Sequence, residues 1–315
     1  MSPDFGARNI GSLGLWTGFI FGVLVLLALD LRISARQTKQ GFREAVGWSL
    51  FWITLSIVFG GWLWTQYGGE QGLEFFAGYV LEKSLSVDNL FVFVLLFRAF
   101  AIPPQYQHRV LFWGIIGALL LRGALILAGV ALVHRFHWVV AVFGAILVYT
   151  AIKILFHEDV SERVPSDNAV VRWVARQLPL TKTIEGPEFF RRIDGRLFAT
   201  PLFLAIVAAE TTDLIFALDS VPAVFAVTDD SFLVFSSNIC AVLGLRALYF
   251  VLRGMLTRLR YLKPGLAAIL IFVGSKMLLF RWVHLPTGTS LLIIAAILAA
   301  ALLFSWFKGP QSAAE

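Results

Sequence analysis

Nine apolar stretches run along the chain, at about 11–31, 46–66, 73–97, 110–133, 137–156, 200–225, 232–252, 264–282 and 288–307. Each is rich in Leu, Val, Ala, Ile and Phe and does not alternate apolar with polar residues. That length and lack of alternation predict helices that cross a bilayer, rather than the strands of a barrel. The run at 11–29 has no basic segment before it and no small-residue cleavage site after it. It therefore reads as a retained first helix and not as a cleaved signal. The expected fold is an all-α polytopic membrane protein.

Two of these stretches are interrupted by charge. The first interruption reads Glu82-Lys83-Ser84-Leu85-Ser86-Val87-Asp88-Asn89, and the second runs from Glu210 through Asp213 and Asp219-Ser220 to Pro222. A charged side chain at the centre of a membrane helix costs about 2.5–3.5 kcal/mol on insertion scales, so five acids imply a gross penalty on the order of 15 kcal/mol. A burden of that size points to use, and the first expectation is a pathway for cations.

Composition agrees with the pattern. The chain is 58% hydrophobic and only 15% charged, with a mean hydropathy of +0.80. The net charge of +6 does not signal nucleic-acid binding, because the basic residues sit in short loops between apolar runs. Eighteen Lys and Arg fall on one set of loops and three on the other. By the positive-inside rule the N-terminus lies outside the cytoplasm and the C-terminus inside, in a bacterial inner membrane. The segment 157–199 is then cytoplasmic. Within it, Ser166 or Asp167 can cap a helix that sets Val170, Trp173, Val174 and Leu178 on one face. Such a helix would lie along the membrane surface.

The third to fifth stretches resemble the sixth to eighth. Glu82 precedes Asp88 by six residues, and Asp213 precedes Asp219 by six. Arg122 and Arg246 lie in the middle of the second stretch of each set. Lys153 and Lys276 each follow an Ala-Ile-Leu by the same offset. Because three is odd, the second set would enter the membrane from the opposite side. That is an inverted repeat, an arrangement whose sites lie near the midplane at the repeat interface. The organisation expected is one transmembrane domain over 1–315. It holds two N-terminal helices (11–66), a first triplet (73–156), the cytoplasmic loop, a second triplet (200–282) and a final helix (288–307).

Geometry limits what the acids can do together. Glu210 and Asp213, three apart, share a helix face. Glu82 and Asp88, six apart, are offset by about 120° and need a bend between them to share a ligand. Gly78 offers some looseness there. Pro222 offers a break in the second motif, since it gives no N–H to the Leu218 carbonyl. The donors are hard oxygens from the carboxylates, Asn89, Ser84, Ser86, Ser220, Thr211, Thr212 and freed carbonyls. The five histidines lie in loops or at the ends of stretches, and the single Cys240 allows neither an internal disulfide nor a thiolate site. Oxygen-only donors suit Mg²⁺, Ca²⁺ or Mn²⁺. Lys83, Arg122, Arg246, Lys153 and Lys276 are the candidate charge partners. Acids and bases paired as helix glue, or a proton relay without metal, are the competing uses of the same residues.

At these motifs the chain resembles the TerC family of integral membrane proteins. The likeness is carried by Leu81 to Phe93, Glu210 to Ala223, Ser237-Asn238, Leu243 to Tyr249 and Gly274 to Leu278. The resemblance implies a manganese-handling membrane protein that exports Mn²⁺ from the bacterial cytoplasm, with Glu82, Asp88, Glu210, Asp213 and Asp219 at the family's acidic positions. Asp88 and Asp219 are the first expected ligands, backed by Asn89 and Ser220. Asp213 and Glu82 would act as ligands or proton acceptors, and Glu210 as a gate on the cytoplasmic side. H⁺ is the expected counter-ion. A non-transporting scaffold or metal-sensing partner, and a Ca²⁺/H⁺ exchanger, are the alternatives. No enzyme motif such as His-Glu-x-x-His or a nucleotide-binding loop is present. The sequence leaves the oligomeric state open.

Overall fold

A computed structural model describes residues 10–34, 42–136, 138–156, 169–181, 183–252, 261–279 and 285–307, without the side chains of residues 31–34, Asp88 and His134. The expected capping residues Ser166 and Asp167 lie outside the described residues, as do His137, His157 and His284.

The described chain is mostly helix. Its elements are α1 (Leu13–Ser34), α2 (Phe42–Tyr67), α3 (Gly69–Ala99), α4 (Pro104–Arg135), α5 (Val139–Phe156), α6 (Ala169–Gln177), β1 (Phe190–Ile193), β2 (Arg196–Ala199), α7 (Pro201–Phe225), α8 (Ser231–Val242), α9 (Leu245–Leu252), α10 (Leu262–Leu278) and α11 (Thr287–Phe307). Local chemistry sets several boundaries. Pro104 and Pro201 sit at the starts of α4 and α7, where a missing N–H does no harm. Asp230 caps α8, accepting from the backbone N–H groups of Phe232 (2.8 Å) and Leu233 (3.0 Å).

Every expected apolar stretch holds a helix or a helix pair. Among the described residues six helices are long and apolar enough to cross a membrane, or seven when α8 and α9 count as one bent span. The other two differ for physical reasons: α3 carries Glu82, Lys83 and Asp88 in its middle, and α10 is 17 residues long.

Two expectations about bends are corrected. α7 runs as one helix through Pro222 to Phe225, so the proline does not interrupt it, although it still gives no N–H to the Leu218 carbonyl. α3 is one continuous helix, and Gly78 serves close packing instead: a Cβ there would lie 2.6 Å from Ser237 Oγ on α8. The bend lies elsewhere, between α8 and α9, which turn by 41°. Gly244 occupies this corner with φ +81°, a conformation glycine adopts without penalty. A Cβ on Gly244 would also fall 2.7 Å from the Cβ of Trp52 on α2, so the corner is closed against that helix.

Packing runs mainly between the two triplets. α3 lies against α7 and α8, α4 against α7, and α5 against α10. The α5–α10 contact is close because Gly144 and Gly274 face each other, each occupying the space a partner side chain would need. The segment before α7 adds a β1–β2 hairpin that the hydrophobic pattern does not announce. Helix α6 rests on α7. Val171 is buried with Val174 and Ala175 against Leu96, Leu204 and Ala208, while Val170 and Trp173 are exposed.

Candidate cation site

Four helices meet at a buried polar cluster. On α3, Glu82, Ser86 and Asn89 follow at intervals of four and three, so they form a polar stripe on one face of an otherwise apolar helix. Arg122 comes from α4, Asp213 from α7 and Asn238 from α8, each well inside its helix. Glu82 and Asn238 are fully buried, and Arg122 is 1% exposed.

The contacts saturate both acids. Glu82 pairs with the Arg122 guanidinium. It also accepts from Ser86 Oγ at 3.1 Å and from Asn238 Nδ2 at 2.9 Å. Asp213 accepts from Arg122 Nε at 3.1 Å and Nη2 at 2.8 Å. Asn89 Nδ2 adds a third donor at 2.7 Å. The guanidinium thus bridges an acid from each triplet, as a planar fork with five donors can. Formally, two carboxylates against one guanidinium leave a negative charge over. The amide oxygens of Asn89 and Asn238 are buried and have no partner among the described residues.

Glu210 lies one turn before Asp213 and also faces α4. A Cβ on Gly117 would fall within the Glu210 carboxylate, and Gly114 borders the same space. Both carboxylate oxygens are buried without a hydrogen-bond partner among the described residues. Gly117→Ala should therefore destabilise the protein by about 1–3 kcal/mol, the usual range for overpacking. Glu210→Ala should remove most of that cost. A double-mutant cycle read by unfolding in detergent checks this, and strictly additive effects would refute the cradle.

The remaining expected residues are placed elsewhere. Asp219 turns to α5, where Thr150 Oγ1 donates to it at 2.9 Å and Lys153 lies near enough to attract it. Ser220 is buried, with no partner for its hydroxyl among the described residues. Asp88 lies on α3, but its side chain is outside the described set. Thr211 and Thr212 bond back to their own helix, at the carbonyls of Val207 and Ala208. Among the described residues no three His, Cys, Asp or Glu side chains are grouped as a metal would need.

Of the expected charge partners, Arg122 bridges the triplets, but three others differ from expectation. Lys83 donates to the Ala241 carbonyl at 3.0 Å and pairs with no motif carboxylate among the described side chains. Arg246 pairs with Asp30 of α1 at 2.6 Å instead of an acid of the other triplet, because the turn at Gly244 directs it towards the N-terminal helix. Lys276 lies in the field of Glu74. Glu74 was not singled out from the sequence; it accepts from Thr228 Oγ1 at 2.7 Å. Gly117 was not singled out either, and Asn238 was named only with Ser237 in the family likeness, not as a site residue. Asn238 carries a signal in retrospect, as the one amide in the apolar stretch 232–252.

Comparison with known proteins was consistent with the motifs. A family model described as "Integral membrane protein TerC family" matches residues 67–313. The "Uncharacterized membrane protein STKORF319" of Myxococcus xanthus is 49% identical, covering 95% of this chain and 94% of that protein. A protein of Salmonella typhi and one of Escherichia coli K12, both named "Putative membrane-bound redox modulator Alx", are 42% and 43% identical. They cover 96% and 92% of this chain, and 97% and 94% of their own lengths. No solved structure matches the chain.

Proposed function

We propose that this chain, which belongs to the TerC family of integral membrane proteins, carries divalent cations, Mn²⁺ foremost, out of the bacterial cytoplasm in exchange for H⁺. One observation carries the reading: more acid than base is buried where four membrane helices meet. Glu82 and Asp213 share a single guanidinium, and the Glu210 oxygens have no hydrogen-bond partner among the described residues. Packing alone does not require such an excess, and intramembrane acids mark ion pathways. The donors are hard oxygens, which favour Mn²⁺, Ca²⁺ or Mg²⁺ over softer metals. Moving two charges out against 100 mV takes about 4.6 kcal/mol, which an inward H⁺ flux can supply.

In this reading nine spans place the N-terminus outside and the C-terminus inside, and α3–α5 and α7–α10 are inverted repeats. The contacts of α3 with α7 and α8, of α4 with α7 and of α5 with α10 are what a two-fold relation between the triplets would produce. The relatives' printed name speaks of redox. Residues 1–315 hold one cysteine, Cys240, which is buried and free, so no disulfide can form within them. A redox effect would instead follow from moving a redox-active cation.

The test is uptake into inside-out vesicles. Mn²⁺ should accumulate, a protonophore should stop it, and Mn²⁺ should compete better than Ca²⁺ or Mg²⁺. Vesicles that gain no divalent ion beyond a chain-free control would leave a scaffold as the better description, and a preference for Ca²⁺ would make it a Ca²⁺/H⁺ exchanger.

A further inference from the structure

We propose that Arg122 is a tethered stand-in for the transported ion: it fills the cation position between Glu82, Asp213, Asn89 and Asn238, and an arriving divalent cation displaces it onto Glu210. The inference rests on the transport reading and assigns a role within it to each of these side chains.

The resting cluster has no vacancy for a metal at its acids. Glu82 is met by Ser86, Asn238 and Arg122, and Asp213 by Asn89 and both Nε and Nη2 of Arg122. Yet the same cluster holds two buried acceptors that accept from nothing among the described residues, the amide oxygens of Asn89 and Asn238. Both amides face the carboxylates through their nitrogens, and both residues are more than nine-tenths buried. A half-turn of each amide about its last bond would exchange nitrogen for oxygen and change a donor into a ligand. With the guanidinium gone, two carboxylates and two amide oxygens from α3, α7 and α8 make a hard-oxygen set of the kind Mn²⁺ takes. A divalent ion would also neutralise both acids, where the guanidinium neutralises one.

The displaced guanidinium needs a destination. Glu210 lies one helical turn from Asp213, in the field of Arg122, and its two buried oxygens have no hydrogen-bond partner among the described residues. The glycine cradle on α4, the helix that carries Arg122, holds it there. Arg122 therefore has two acidic stations, and a metal at the first sends it to the second. Each state keeps the guanidinium paired, which a buried charge requires.

The experiment measures Mn²⁺ binding to the purified full chain in detergent, by electron paramagnetic resonance of the free ion. Glu210→Gln should weaken binding about tenfold, because the displaced arginine loses its station. It should not lower the unfolding temperature of the metal-free protein, since Glu210 accepts no hydrogen bond in that state among the described residues. Arg122→Gln should tighten binding about tenfold by removing the competitor. Adding Glu210→Gln to Arg122→Gln should then change nothing further. Equal weakening by Glu210→Gln in both backgrounds overturns the proposal, as does unchanged affinity in Glu210→Gln alone. Should Arg122→Gln not fold, the Glu210→Gln affinity and unfolding temperature still decide. A wild-type chain that binds no divalent ion overturns the transport reading itself, a distinct result.

Discussion

Glu82→Leu is expected to cost the folded protein about 3–5 kcal/mol, the range for removing one member of a buried ion pair. Leucine fills much of the same space, so the loss comes from unmet polar groups and not from a cavity. Asn238 and Ser86 lose their acceptor, and Arg122 keeps only Asp213. Unsatisfied buried donors each carry a desolvation cost of about 1–3 kcal/mol. Glu82→Gln should be milder, because its one amide oxygen can still accept from either Asn238 or Ser86. Replacing Glu82 and Arg122 together with Leu and Met should recover part of the loss, since that removes both charges. Thermal unfolding in detergent, with the yield of monodisperse protein, measures the series. A Glu82→Leu chain as stable as the wild type would contradict the contacts described.

Asp219→Asn is expected to do the opposite: to abolish Mn²⁺ export while sparing the fold. Asp219 makes one hydrogen bond, from the neutral Thr150, and an asparagine oxygen can accept it equally well. What the substitution removes is the negative charge, on the side of α7 that faces α5. If that acid lies on the ion's route, cells given excess Mn²⁺ should retain it as cells lacking the protein do, at unchanged protein level. Elemental analysis of washed cells reads the first quantity and immunoblotting the second. Normal export by Asp219→Asn would remove this acid from the pathway. Loss of protein in place of loss of export would recast it as a structural residue.

Much of this was legible from simple periodicities. Twenty-residue apolar runs mark helices because a bilayer admits little else. The i, i+4, i+7 stripe of Glu82, Ser86 and Asn89, and the three-residue spacing of Glu210 and Asp213, put each set on one helix face, and the structure turns each set inward. Arg122 was readable as a partner because a mid-span arginine must find an acid. What stayed hidden depends on which helix lies opposite. Nothing local says that Lys83 will meet a carbonyl, that Arg246 will meet Asp30, or that Gly117 leaves room for a carboxylate on another helix. The misplaced bend has the same origin. Proline withholds an N–H from the carbonyl four residues back, yet a helix can run on through it, as α7 does past Pro222. Glycine at 244 bends the chain because α9 resumes at once in a new direction against Trp52.

The family model begins at residue 67, after α1 and α2, yet those two helices hold the corner of the bent pair from both sides. Trp52 closes on Gly244, and Asp30 supplies the counter-charge for Arg246 two residues later. A chain trimmed to the stretch that the family model matches would strip that arginine of its acid. Residues 67–313 alone are thus expected to be less stable than the whole, and their behaviour in isolation would misrepresent it.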